Sequence, residues 1–153
     1  LPARLLLAEA LASRGQVDAA VAQYRAALGG APDSAEANAA YGRFLLESGR
    51  PAAALGVLRR ATELAPEEAV HWNDLGVAYR LLGRAGQALE ALERAGRLDP
   101  GLAESYYNRG LVHEAEGRSD LARREYLLAL EADPDFRPAW AKLRGSEGLQ
   151  EVP

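Results

Sequence analysis

The 153-residue chain has no cysteine, no methionine, and only two histidines. Without cysteine, disulfides and thiolate metal sites are excluded, although the compartment is not fixed by that absence. The absence of methionine even at position 1 predicts a segment of a longer protein or a processed form. Lysine is nearly missing too: Lys142 stands alone beside many arginines, which together with abundant alanine fits a GC-rich genome. Long apolar runs are also lacking. The longest leucine stretch, Leu5 to Leu7, is broken soon after by Glu9, far short of the ~18 residues a membrane-spanning helix needs. No basic region followed by an apolar core and cleavage site marks a signal peptide. These features predict a soluble chain and favour the cytoplasm over the periplasm. A net charge of -4 argues against a phosphate backbone as partner, since nucleic-acid affinity rests on a basic surface.

What the chain has in abundance is repetition. Its 48% hydrophobic and 26% charged residues suit one globular domain. Offsetting the sequence against itself by about 34 residues aligns four copies, a period typical of helical arrays. Gly15, Gly49, Gly83 and Gly117 coincide, as do Pro32, Pro66, Pro100 and Pro134. Two alanine columns coincide as well: Ala20, Ala54, Ala88 and Ala122, then Ala27, Ala61, Ala95 and Ala129. Alanine-rich composition could align alanines by chance, but not glycine and proline at the same period.

Each unit reads as two helices. The first ends at the glycine, which suits the left-handed conformation that closes a helix. Pro51 and Ser119 open the second helix in their copies, which ends before the next proline. Apolar residues such as Leu75, Tyr79 and Leu82, then Leu89, Leu92 and Ala95, recur at helical spacing. The first alanine column is expected where the second helix crosses the first, and the second where it meets the next unit. A larger side chain at either place would cost ~1–3 kcal/mol by overpacking.

In "WNDLGVAY", Trp72, Leu75, Gly76 and Tyr79 are spaced as W-x2-L-G-x2-Y, and Ala88, Leu92 and Pro100 follow in register. The chain resembles the tetratricopeptide repeat family over residues 1–136, with units at 1–34, 35–68, 69–102 and 103–136. Departures lie at the ends: Arg4 and Ala8 replace Trp and Gly in the first unit. Tyr106, Arg109 and His113 replace Trp, Leu and Tyr in the fourth. The resemblance implies an all-α, right-handed α-solenoid of four helix pairs, closed by a C-terminal capping helix at 137–144 around Trp140 and Leu143. Domain 1–144 would then be followed by a flexible tail, 145–153. The opening "LPARLLLAEALA" is apolar on most of its circumference, where an end helix should show a polar face. A further repeat or another copy of the chain is expected to pack there, so homo-oligomerisation through this helix is one expectation.

No catalytic, cofactor or metal site is predicted. There is no G-x-S-x-G, P-loop or G-x-G-x-x-G, and "GRAG" at Gly83 is an inter-helix link. His71 is expected at the surface, and His113 in the packing column of Tyr79 with a satisfied ring nitrogen. The basic pairs Arg59–Arg60 and Arg123–Arg124 are interspersed with Glu63 and Glu125 and lack an aromatic stacking set, so they read as a solvated face.

The resemblance implies that the first helices line a concave groove for a peptide or helix of a partner protein. The positions expected to face it are Leu5, Glu9 and Ala12; Glu36, Ala39, Ala40, Arg43 and Glu47; Asn73, Asp74, Val77 and Arg80; Glu104, Tyr107, Asn108, Leu111 and Glu114; and Lys142 of the cap. None is expected to hold the repeat together. Asn73 and Asn108 could bond an extended backbone, Tyr107 adds contact area, and Arg43 and Arg80 could clamp a carboxylate. Some family members bind acidic chaperone tails through a set of Lys, Asn and Arg. Here the matching positions hold Ala39, Arg43, Asp74, Glu104 and Asn108, and acids outnumber bases along the groove. A basic, neutral or amphipathic partner segment is therefore expected, in a scaffold that is not an enzyme. The alternatives are a non-catalytic docking or regulatory segment of a larger enzyme, or a self-assembly module.

Overall fold

The computed structural model describes residues 1–146, and every regular element among them is an α-helix. The order is α1 (Pro2–Ser13), α2 (Val17–Gly30), α3 (Ala35–Glu47), α4 (Pro51–Leu64), α5 (Ala69–Leu81), α6 (Ala85–Leu98), α7 (Ala103–Ala115), α8 (Ser119–Ala132) and α9 (Arg137–Ser146). The helices stack as an α-solenoid of four antiparallel pairs followed by α9. The last helix continues past its expected end at Arg144, and residues 147–153 of the expected tail lie outside the described residues. No helix described is long and apolar enough to cross a membrane.

The turn inside each pair follows from one glycine. Gly15, Gly49, Gly83 and Gly117 have φ of 72°, 70°, 71° and 73°, a region costly for any residue with a Cβ. The Gly49 N–H bonds the Leu46 carbonyl at 3.0 Å and the Arg50 N–H bonds that of Leu45 at 2.8 Å, the paired closure of a Schellman motif. Between units a different lock recurs. The indole N–H of Trp72 donates to the Pro66 carbonyl at 2.8 Å, and that of Trp140 to Pro134 at 2.9 Å. Asn38 donates to Pro32 at 3.0 Å, so an amide does the work of an indole in the second unit. These bonds satisfy carbonyls of the loops between units, which no helix ladder reaches.

Within a pair the helices touch at small residues. All four members of the Ala20 column and all four of the Ala27 column are buried. A Cβ built on Gly76 would lie 2.5 Å from Leu92 Cγ and 3.3 Å from the Ala88 carbonyl oxygen. Gly42 stands in the same relation to Leu58, and Gly110 to Tyr126. In the first unit Ala8 takes this place and is itself fully buried, so one Cβ is accommodated there.

The fourth unit keeps the fold despite its substitutions. Arg109, in the column of Leu75, bonds Glu125 on α8 at 2.8 Å, and its guanidinium lies 5.9 Å from the Tyr106 ring centre. Burial raises the Glu125 carboxyl above its ordinary range, with Arg109 opposing. His113 is buried as expected, but its Nδ1 has no partner; burial, then Arg118 and Arg109, lower its pKa. His71 is half-buried rather than at the surface, and burial lowers its pKa too.

The helix contact at Gly76 gives a direct expectation. Leu92 is fully enclosed and cannot yield, so Gly76→Ala should lower stability by ~1–3 kcal/mol in urea unfolding. Gly29→Ala, with nothing within 4 Å of the new Cβ, should stabilise by ~0.5–1 kcal/mol. Equal effects at the two positions would show that the contact does not set the spacing.

Candidate functional site

Successive first helices, α1 with α3, α3 with α5 and α5 with α7, touch one another more extensively than successive second helices do. The stack therefore bends with the first helices inside, and their free faces form its inner wall. The periodic positions fall into two groups on this wall. Leu5 and Ala39 are buried in helix packing, so they do not line it as expected. Glu9, Glu36, Arg43, Glu47, Glu104 and Glu114 are exposed, while Ala12, Val77, Arg80, Tyr107, Leu111 and Lys142 are partly exposed.

Asn73, Asp74 and Asn108 are nearly buried. The Asn108 amide donates to Asn73 Oδ1 at 3.1 Å, linking α7 to α5. The expectation that no residue of the inner face holds the repeats together does not survive this bond. An amide pair in low dielectric is costly to separate, so these two asparagines help fix the angle between units.

Charged groups make similar cross-links. Arg43 Nη1 on α3 lies 3.9 Å from Asp74 Oδ2 on α5, a Coulombic contact longer than a hydrogen bond. Lys142 on α9 bonds Glu114 on α7 at 2.8 Å, and the Tyr126 hydroxyl donates to the other oxygen of the same carboxylate. The Lys142 and Tyr126 bonds hold the Glu114 carboxyl below its usual range. Tyr126 is pushed up by burial and by that carboxylate. Arg80 is different. Its Nε is enclosed without a hydrogen-bond partner, and burial lowers its pKa, with Tyr107 and Tyr126 opposing.

A recess of about 510 Å³ opens on the inner face between α1 and α3, with Glu9, Arg43 and Glu47 at its edge. Its floor includes Val17 and Tyr24 of the second helix α2 and Phe44 of α3, none of them among the positions expected to face the groove. The available signal was Ala12. The same position carries Leu46, Arg80 and Glu114 in later units, so a small side chain opens space there. The basic pair on α4 is less available than it looked: Arg60 is bonded to Asp33 and to Glu63. Among the described residues no group of three histidine, aspartate or glutamate side chains comes together to hold a metal ion.

Comparison with known proteins agrees with this geometry. Models of the tetratricopeptide repeat match residues 11–75 and 103–136, and one of the TPR repeat matches residues 76–117. Among solved structures the chain is similar to TTC0263, a thermophilic TPR protein of Thermus thermophilus. The two share 29% identity and a TM-score of 0.81, over 96% of this chain and 82% of that one. It is similar to MamA at 26% identity and a TM-score of 0.78, over 92% of this chain and 84% of that one. YrrB, described as a TPR protein with an unusual peptide-binding site, shares the fold at 20% identity. Its TM-score is 0.67, over 92% of this chain and 90% of that one. No curated protein matches the chain.

Asp74 makes the inner wall sensitive to pH. Burial lifts its carboxyl to about 6; Arg43 and a hydrogen bond with Asn73 oppose the rise, and Glu47 adds to it. Between about pH 4 and 6 the folded chain holds a proton that the unfolded chain has released. The stability this contributes is complete below about pH 4 and is lost as pH rises through about 6. Asp74→Asn removes the titration, so its stability relative to the unsubstituted chain should grow by about 2 kcal/mol between about pH 4 and pH 7. Urea unfolding of both proteins across that range checks this, and a difference that does not change with pH overturns it.

Proposed function

Because the chain belongs to the tetratricopeptide repeat family, we propose that it is a protein-interaction scaffold that binds a peptide or helical segment of a partner along the inner face of its first helices. The supporting observation is the row formed by Val77, Tyr107 and Leu111 on α5 and α7. These side chains are partly exposed on a wall whose spacing is held by the buried Asn73–Asn108 pair. A partner docking there buries apolar surface on a wall already ordered, which limits the entropic cost of binding. Glu9, Glu36, Glu47 and Glu104 give the wall an acidic bias, and Arg43 is directed toward Asp74. A basic, neutral or amphipathic segment suits it better than an acidic one. The role is non-catalytic, and it can equally serve as a docking segment of a larger enzyme.

A second contact is supported by the first helix. Leu7 is 48% exposed, whereas Tyr41 and Leu75, in the same column, are 7% and 4% exposed beneath the preceding unit. Leu1 and Leu6 are exposed beside it. A further repeat or another copy of the chain would cover this flank, and the second would make the homo-oligomer expected from the sequence. Light scattering should then show mass rising with concentration, and Leu7→Glu should abolish the rise. A constant monomer mass removes this contact.

The groove reading is tested by selecting binders from a displayed random-peptide library. Selected peptides should carry neutral or positive net charge and should bind at least about tenfold more weakly to Val77→Arg, a change of about 1.4 kcal/mol. Circular dichroism should show the variant's fold unchanged. Peptides that bind both proteins equally would place recognition off the inner face, and an enrichment of Asp/Glu-rich sequences would reverse the charge preference.

A further inference from the structure

The recess between α1 and α3 has a chemistry of its own. Tyr24 and Phe44 pack at 5.1 Å between ring centres on its floor. Ala12 and Ala40 add only methyl groups to its walls. The recess between α5 and α7 that uses the equivalent positions is smaller, about 200 Å³, with Arg80 in place of Ala12. Of these two recesses the wider is the one whose helix carries the smaller side chain.

Two carboxylates stand at the edge of this space, Glu9 on α1 and Glu47 on α3. Both are exposed. Asp74 faces Arg43, and Glu114 bonds Lys142 and Tyr126, whereas Glu9 and Glu47 make no ion pair within the described residues. After burial, Glu9 and then Glu47 raise the Tyr24 hydroxyl and Arg43 opposes them, so two acidic fields and one basic field reach the floor. The cation nearest to hand, Arg43, is directed at Asp74 on the next unit.

We propose that this recess receives an arginine side chain of the segment bound along the inner face, its stem against Tyr24 and Phe44 and its guanidinium between Glu9 and Glu47. The proposal rests on the groove reading and narrows it to one anchor. A planar guanidinium suits the place because it presents five donors to two carboxylates while its aliphatic stem covers the aromatic rings. Lysine offers a more strongly hydrated point charge without that plane, and an aliphatic residue would leave both carboxylates without a counter-charge.

The test separates the anchor from the groove. Nα-acetyl-arginine amide is titrated into the chain and followed by amide resonances, beside the uncharged isostere Nα-acetyl-citrulline amide. The arginine compound should shift resonances around Glu9, Tyr24 and Glu47 saturably, and the citrulline compound should not. Glu9→Gln with Glu47→Gln should weaken the arginine compound about tenfold while leaving the rest of the spectrum in place. Peptides selected on the inner face should lose a similar factor when their arginine becomes citrulline. Equal shifts with citrulline, shifts centred elsewhere, or no shift overturn the anchor. If selected peptides remain sensitive to Val77→Arg but indifferent to the Glu9→Gln/Glu47→Gln pair, the groove stands and the arginine anchor falls.

Discussion

The close approach of the two helices in each unit is the constraint on which the rest of the molecule depends. Gly42, Gly76 and Gly110 lie against Leu58, Leu92 and Tyr126 with no space for a Cβ, and the Ala20 column is buried beside them. Dispersion falls steeply with separation, so a contact between backbone and side chain at this range ties the pair into a nearly rigid body. Repetition of that body turns a local contact into a long-range shape. The first helices then lie side by side on the inside of the bend, and side chains many residues apart in sequence come to share one wall.

That wall has two layers of chemistry. An inner layer joins neighbouring units: the buried Asn73 to the buried Asn108, and the exposed Arg43 toward the buried Asp74. An outer layer of Glu9, Glu47, Val77, Tyr107 and Leu111 remains in contact with solvent. The division has a simple physical origin. An enclosed polar group without a partner is costly, which favours pairs such as Asn73 with Asn108, whereas exposed groups keep water as their partner. The face offered to a partner is therefore fixed from behind.

The helical architecture was legible because its signals act locally and repeat. A glycine that ends a helix and a proline that cannot continue one do so whatever surrounds them, and four copies remove chance. Trp72 and Pro66 could be placed in columns, but the bond between them depends on the loop's path, so its use by Asn38 in the second unit was not readable in advance. The inner face was legible by period but not by depth. Asn73, Asp74, Asn108 and Leu5 fall in or near the right columns and yet are buried, because depth depends on how neighbouring units tilt. The floor of the α1–α3 recess escaped notice for the same reason: Val17 and Tyr24 belong to a second helix and become visible there only because Ala12 is small.

The Arg109–Glu125 pair limits how the units can be recombined. In the third unit the same two columns hold Leu75 and Ala91, an apolar contact. Exchanging the first helix of one unit for that of the other would leave either a glutamate facing leucine or an arginine facing alanine. Removing one partner of an enclosed ion pair typically costs ~3–5 kcal/mol, and this partly exposed pair sits toward the lower end. Whole units could still be duplicated or lost, but half-units could not be reshuffled freely.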